Sequence, residues 1–144
     1  MRRFAFIIIM TLQSVAMTGQ VRHITVAADG SGEFTSVQDA VNSIRAYMAD
    51  TTYMFIKAGV YKEKIVIPSW VTNLFMKGES ADKTVITWDD YAGLRDMGTF
   101  RTYTIWIQGS GFTAEDITFE NSAGPVGQAV AVHADGDRAV FRRC

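Results

Sequence analysis

The chain has little of several residue types that mark particular classes of protein. Its single cysteine, Cys144, among 144 residues excludes an internal disulfide framework and a cysteine-rich zinc site. Only 2 prolines and 12 glycines exclude a collagen-like or proline-rich chain. The 14 Lys and Arg residues against 15 Asp and Glu give a net charge of −1, without the basic surplus typical of nucleic-acid-binding proteins. We therefore expect no nucleic acid among its partners.

The chain also lacks an apolar run of the roughly 20 residues that a membrane-spanning helix needs. Its one apolar stretch, residues 4–10, follows Arg2 and Arg3 and leads into a segment of small residues. This order is typical of a secretory signal peptide, which we predict over residues 1–19, whereas a membrane anchor would need a longer run. The expected mature protein, residues 20–144, is secreted to the periplasm or the exterior and does not bind the membrane.

What remains has the composition of a globular domain, with 48% apolar and 20% charged residues. One segment has apolar residues at helical spacing, and Ser36 followed three residues later by Asp39 resembles a capping box at its start. The apolar residues of this predicted helix are Val37, Ala40, Val41, Ile44 and Met48.

After Asp50 the chain reads as short segments rich in β-branched and aromatic residues, separated by turn residues, which predicts strands. The predicted strands cover residues 53–57, 64–67, 73–77, 84–88, 102–108, 116–120, 129–133 and 139–142. Because no second long helical pattern occurs, the sequence argues against a nucleotide-binding βαβ fold and for an all-β class.

Three of these strands end near a glycine and are followed by a further strand. Gly78, Gly109 and Gly136 lie 31 and 27 residues apart (109 − 78 and 136 − 109). A strand–turn–strand unit repeated on this scale predicts a solenoid, with the helix capping one end and covering open sheet edges. An antiparallel sandwich fits the same short strands equally well.

Five motifs follow one another along the chain: ADGSGEFTSVQDA at residues 28–40, GVYKE at 59–63, GTFR at 98–101, GFTAEDITFENSAGP at 111–125 and QAVAV at 128–132. In this order they resemble the pectin methylesterase (pectinesterase) family across nearly all of residues 25–144. The resemblance implies a right-handed, single-stranded parallel β-helix with an N-terminal capping helix. It also implies an esterase that converts methyl-esterified homogalacturonan, the substrate in pectin, and water into pectate and methanol. We expect no cofactor and no metal.

The resemblance also implies site residues. Thr99 falls where the family has a substrate-contacting threonine, and Gln128 falls where it has a glutamine in the active-site groove. Attack on an ester carbonyl produces an oxyanion, which an amide N–H directed at it would stabilise. We therefore expect Gln128 to be catalytic and to bind substrate together with Thr99. Phe100 is also expected to bind substrate by presenting an apolar face to a sugar ring. Tyr103 and Trp106 either do the same or belong to the core, which is commoner for aromatic residues at alternate strand positions.

Other conspicuous residues of these motifs are expected to be structural. Tyr61 and Glu63 are expected to anchor turns, and Asp116 is expected to face solvent from a strand. His23 and His133 have no metal-ligand spacing to each other or to a pair of acidic residues, so neither is predicted to bind a metal.

The family's two catalytic aspartates lie in a Gln-Asp-Thr motif and an Asp-Phe-Ile-Phe-Gly motif, and a supporting arginine lies in a Gly-Arg-Pro-Trp motif. None of the three occurs in this sequence, and in the family the first follows soon after a segment like residues 138–144. We therefore expect residues 20–144 to be the N-terminal, truncated part of a pectinesterase β-helix that is inactive alone and a monomer when full length. The alternatives are a non-catalytic polysaccharide-binding β-helix module and a Ca²⁺-assisted lyase, which the lack of an acidic cluster disfavours.

Overall fold

The computed structural model describes residues 21–144, so the predicted signal peptide lies outside the described residues. Within them the chain forms one α-helix, two short 3-10 turns and eleven strands. The helix is α1 (Val37–Asn42). The strands are β1 (Arg22–Val26), β2 (Thr52–Ile56), β3 (Gly59–Lys62), β4 (Ile65–Ile67), β5 (Leu74–Gly78), β6 (Thr84–Trp88), β7 (Ile105–Ile107), β8 (Thr113–Glu115), β9 (Thr118–Asn121), β10 (Val132–Ala134) and β11 (Val140–Arg142).

The strands are arranged in three parallel sheets. Their orders are β1-β2-β5-β8-β11, β10-β7-β4 and β3-β6-β9. Every ladder is parallel, and strands that follow one another along the chain fall mostly in different sheets, so the chain winds round and each coil stacks on the one before. This arrangement confirms the predicted parallel β-helix and excludes the antiparallel sandwich. No helix within residues 21–144 combines the length and apolar content needed to cross a bilayer.

The core lies inside the coils, because alternate residues of each strand point inward. In β2, for example, the first, third and fifth residues are buried and the two between them are exposed. The register aligns Ile24, Met54 and Met76 in one inward row, and Ile65 lies against Ile105 in another. All five are at most 1% exposed.

Helix α1 covers one end of the coils with its buried face of Val37, Ala40 and Val41. Ser36 caps its N-terminus, as predicted, by accepting a hydrogen bond from the backbone N–H of Asp39 (3.2 Å). The partner in this cap is Glu63, which lies far along the chain. Its carboxylate accepts from the Ser36 hydroxyl (2.8 Å) and from two backbone N–H groups of the first helical turn, both at 2.9 Å.

The helix is shorter than its apolar pattern predicts and ends at Asn42. The Ser43 hydroxyl donates to the Ala40 carbonyl (2.7 Å), and Arg22 donates to both the Ser43 carbonyl (2.7 Å) and its hydroxyl (3.0 Å). These side chains take up backbone groups that a further turn would use. Ile44 is nevertheless buried, because the chain after the helix still packs against the coils.

The repeat inferred from glycine spacing is partly wrong. The step from Gly109 to Gly136 is one coil, since β10 pairs with β7 and Val132 aligns with Ile105, 27 residues earlier (132 − 105). The step from Gly78 to Gly109 instead relates β5 to β7, which lie in different sheets. Glycine occurs at both positions for the same local reason. A Cβ at residue 78 would collide with the backbone carbonyl oxygen of Asp116, and a Cβ at residue 109 with that of Val71.

The predicted strand over 116–120 is interrupted at its first residue. Asp116 has φ 56°, and it separates β8 from β9 at a corner of the coil. Its side chain does not face solvent freely but accepts from Lys77 (2.9 Å) and from Arg143 (2.6 and 2.9 Å). The hydrogen bonds from Arg143 and Lys77 hold the pKa of the Asp116 carboxyl well below its usual range. Strands β1, β3 and β8 are additional to the predicted set.

We expect Glu63→Ala to lower the free energy of unfolding by about 1–3 kcal/mol, because three donors at the start of α1 would lose their acceptor. Thermal and urea unfolding of the chain measures this loss. Glu120→Ala is the matched control, since Glu120 is exposed and its side chain makes no hydrogen bond within residues 21–144. An equal loss in both variants would contradict the capping role.

We expect the contribution of Asp116 to stability to disappear in acid. A carboxyl whose pKa is lower in the folded than in the unfolded chain stabilises above the unfolded pKa of about 3.9 and ceases to do so as the pH falls through the folded value. Asp116→Asn keeps a residue that tolerates positive φ. Wild type should therefore be more stable than this variant at pH 7, and the difference should shrink below pH ~4 in urea unfolding. A pH-independent difference, or the same profile for exposed Asp50→Asn, would contradict it.

Candidate functional site

The loop between β6 and β7, residues 89–104, packs over the outward face of the β10-β7-β4 sheet. Lys64, just before β4, fastens it. The Lys64 ammonium donates to the carboxylate of Asp90 and to the carbonyl of Arg101 (2.7 Å), and it lies 4.7 Å from the centre of the Tyr103 ring. One cation thus fixes both ends of the loop to the sheet.

Asn121, the last residue of β9, is the second fastener. Its side-chain amide donates to the carbonyls of Asp90 (2.9 Å), Thr102 (2.9 Å) and Val130 (3.3 Å). These carbonyls belong to both ends of the loop and to the segment that enters β10. In the sequence Asn121 stands out only as part of a family motif, and no local pattern shows that it links three segments.

Thr99 and Gln128 meet where this loop contacts the segment before β10. The Thr99 hydroxyl donates to the side-chain oxygen of Gln128 (2.7 Å), and the Gln128 carbonyl accepts from the backbone of Ala92 (2.8 Å). This hydrogen bond turns the amide oxygen of Gln128 toward Thr99. The Gln128 Nε2 group makes no hydrogen bond within residues 21–144, so both of its protons are available to a ligand.

Beside this pair lies a cavity of about 450 Å³, which we call the aromatic cavity. Its lining residues are Lys64, Met97, Phe100, Arg101, Tyr103, Trp106 and His133. The volume falls within the range of small-ligand sites, of order 300–1,000 Å³. Phe100 contributes a ring that is 75% exposed. Burial raises the pKa of the Tyr103 hydroxyl, which therefore stays protonated at neutral pH.

The floor of the cavity is a stack of two rings. Trp106 of β7 and His133 of β10 occupy the same register position in adjacent strands, with centroids 5.5 Å apart and planes at 12°. Asp135 holds the stack from the side. Its carboxylate accepts from the Trp106 indole N–H (2.6 Å) and lies 3.1 Å from Nε2 of His133.

All of the predicted site residues therefore gather in one place. Thr99 and Gln128 contact each other, and Phe100, Tyr103 and Trp106 line the adjoining cavity. Lys64, Arg101 and His133 also belong to this cavity, and the sequence alone did not predict them there. The alternation of outward residues in β7 and β10 would have placed His133 beside Trp106 had the pairing of these strands been known.

The arrangement can bind a ligand with apolar faces and donate hydrogen bonds to it, and no acidic side chain lines the cavity. Asp90 is paired with Lys64, Asp135 contacts Trp106 and His133, and Asp96 of the same loop is exposed. Among residues 21–144, no group of three or more His, Cys, Asp or Glu side chains is arranged to hold a metal ion.

Comparison with known sequences gives a consistent family. The family model described as Pectinesterase matches residues 23–144. The chain is 44% identical over 121 residues to a pectinesterase/pectinesterase inhibitor of Brassica campestris, which covers 83% of this chain and 21% of that protein. It is 40% identical over 124 residues to pectinesterase 4 of Arabidopsis thaliana, and the match covers 85% of this chain and 21% of that protein. The chain thus spans about a fifth of the length of these relatives.

Solved structures agree with the fold. The pectin methylesterase from carrot superposes with a TM-score of 0.81 at 37% identity, over 84% of this chain and 38% of that one. Pectin methylesterase PemA from Erwinia chrysanthemi superposes with a TM-score of 0.77 at 29% identity, over 86% of this chain and 42% of that one.

We expect Asn121→Ala to loosen the loop over the sheet. The carbonyls of Asp90 and Thr102 would lose the Asn121 donor, and that of Val130 would keep only the Thr104 N–H. We expect a cost of about 1–3 kcal/mol and faster amide hydrogen exchange across residues 90–102. Asn42→Ala, which removes a single exposed hydrogen bond on α1, is the control. Unchanged exchange in the loop of the Asn121 variant would contradict the fixing role of Asn121.

Proposed function

Because the chain belongs to the pectinesterase family, we propose that it forms the N-terminal part of an esterase that removes methyl groups from galacturonate units of pectin. The reaction consumes the ester and water and yields a carboxylate and methanol. The observation that carries the proposal is the Thr99–Gln128 hydrogen bond beside the aromatic cavity, because it leaves an oriented amide donor next to a site that fits sugar rings. A related pectin methylesterase, 30% identical, is solved in complex with a hexasaccharide.

In this mechanism a carboxylate attacks the ester carbonyl, and negative charge develops on the carbonyl oxygen. The Gln128 Nε2 group donates to that oxygen and stabilises the transition state. Thr99 is a positioning residue that keeps the amide oxygen turned away from the developing charge. A second carboxylic acid protonates the departing methoxide, which leaves as methanol, and then, as a base, activates the water that hydrolyses the acyl-enzyme.

We place the two catalytic carboxylates outside these 144 residues. The family's aspartate motifs do not occur in the sequence, and two acids of this region, Asp90 and Asp135, are already engaged by Lys64 and by Trp106 and His133. The proposal includes secretion directed by residues 1–19, supported by their charged, apolar and small-residue pattern, and a monomeric full-length enzyme.

A second candidate is a non-catalytic module that binds polysaccharide. It is favoured by a complete aromatic cavity in a segment that contains neither catalytic motif. Both functions require the site to bind a polysaccharide. They differ in whether two catalytic carboxylates complete the site.

The DNA that follows the Cys144 codon tests the choice between them. We expect an open frame that encodes Gln-Asp-Thr and Asp-Phe-Ile-Phe-Gly motifs, and we expect the longer chain to release methanol from methyl-esterified pectin while the 144 residues alone release none. A stop codon at this point would favour the binding module. Saturable methanol release by the 144 residues would contradict the proposed origin of the nucleophile.

In that longer enzyme, we expect Gln128→Ala to lower kcat by about 10²–10³, as loss of one oxyanion donor does. KM should change little, because the hydrogen bond strengthens in the transition state. Gln128→Glu should be at least as damaging, since a carboxylate repels the oxyanion. Gln108→Ala is the control. Gln108 directly follows β7, which lies in the same sheet as the strand after Gln128, β10. Its side chain makes no hydrogen bond within residues 21–144. Wild-type kcat per folded molecule of Gln128→Ala would remove this residue from the mechanism.

A further inference from the structure

Tyr47 and Trp70 form an exposed aromatic pair at the corner that leads into the sheet β1-β2-β5-β8-β11. Tyr47 lies between α1 and β2, and Trp70 lies between β4 and β5, so the two residues come from successive coils. The Tyr47 backbone N–H donates to the Trp70 carbonyl (2.7 Å), which places the residues side by side. They are 74% and 49% exposed. This corner pair is separate from the aromatic cavity, whose lining includes neither residue.

Tyr47 has a backbone conformation that a tyrosine rarely adopts. Its φ of 55° lies in the left-handed region, which is unfavourable for a residue with a bulky side chain. The next coil holds the loop in place, because the Thr72 hydroxyl and the Asn73 amide both donate to the Met48 carbonyl at 3.0 Å. Strain imposed by surrounding structure is typical of functional sites. Because Tyr47 is mostly exposed, packing of its ring in the core does not account for a tyrosine here.

Both side chains of the corner pair offer an open ring and a free polar end. Neither ring is stacked on another aromatic ring within residues 21–144. In the same part of the chain, neither the Tyr47 hydroxyl nor the Trp70 indole N–H makes a hydrogen bond. This combination suits a sugar, because the C–H face of a sugar ring packs on an aromatic surface while its hydroxyl groups form hydrogen bonds with polar groups at the edge.

The surroundings of the corner pair fit a narrow ligand better than a folded partner. The exposed neighbours in the two loops are small or polar, namely Arg45, Ala46, Ala49, Asp50 and Ser69. A stable protein interface buries about 800 Å² on each partner around an apolar centre, which two isolated rings do not provide. A chain of sugar rings needs no such centre, because each sugar can contact a single aromatic side chain.

We propose that the corner pair is a second polysaccharide-binding site, at which Tyr47 and Trp70 pack against sugar rings of methyl-esterified homogalacturonan. The identity of this polymer rests on the proposed function. Lys64, which lines the aromatic cavity, precedes β4, and Trp70 follows it. Their Cα atoms are at most about 22 Å apart, the reach of six residues (70 − 64) of extended chain. One polymer chain can therefore contact both sites, and two linked contacts hold it more tightly than either contact alone.

The test is affinity electrophoresis of the 144-residue chain in gels that contain highly methyl-esterified pectin, where the retardation gives a dissociation constant. We expect Trp70→Ala and Tyr47→Asn each to weaken binding about two- to tenfold, the range for loss of one aromatic contact. Phe55→Ala is the matched control, because it removes a ring that is 37% exposed on the outward face of β2. This variant should keep the wild-type affinity.

Tyr47→Asn separates binding from a structural role, because asparagine tolerates a positive φ. We expect its midpoint of thermal unfolding, followed by circular dichroism, to equal or exceed that of the wild type while its affinity for pectin falls. Unchanged affinity in Tyr47→Asn and Trp70→Ala, an equal loss in Phe55→Ala, a lowered unfolding midpoint of Tyr47→Asn, or no retardation of the wild type would overturn the inference. The proposed function is judged separately, by methanol release from the longer chain.

Discussion

Each strand of the described residues gains its main-chain partners from a strand one coil away, and this parallel stacking constrains the rest of the structure. Inward positions of successive coils lie above one another and are mostly apolar, as Ile24, Met54 and Met76 are. Coils also approach closely at the corners, where glycines such as Gly78 leave room for a carbonyl of the next coil. Extra residues can leave the coil only at these corners. The long loop after β6 is such an excursion, and it carries Thr99.

The stacking also explains how an exposed loop can hold a site in fixed geometry. Loops tolerate sequence change and carry function, but they need a rigid support. Here Lys64 from one coil and Asn121 from another bind both ends of the loop. The Thr99–Gln128 hydrogen bond then joins the loop to the following coil. Three coils thus contribute to one small surface, and that surface depends on their correct order.

Patterns of neighbouring residues predicted features that depend on neighbouring residues, such as the start of a helix. They failed for features that depend on which distant segment packs against the residue. The start of α1 follows from Ser36 and the apolar spacing, whereas its end depends on Arg22, which arrives from β1. The glycine spacing found the 27-residue coil but equated Gly78 with Gly109, since similar close contacts produce glycine in different sheets. The resemblance led to Thr99 and Gln128. His133 could not be found in this way, because its place in the site comes from Trp106 in a neighbouring coil.

The acidic residues that stabilise the coils limit which carboxylates can serve as the nucleophile. Glu63 caps α1, Asp90 neutralises Lys64, and Asp116 pairs with Lys77 and Arg143 across coils. A carboxylate held by cations or by several donors is a poor nucleophile, because those bonds stabilise its negative charge and must be broken for attack. A nucleophilic carboxylate near Gln128 therefore has to be one that the scaffold does not employ. That requirement supports the proposed division of the site, in which these coils supply the oxyanion donor and the sugar platform and later coils supply the reacting acids.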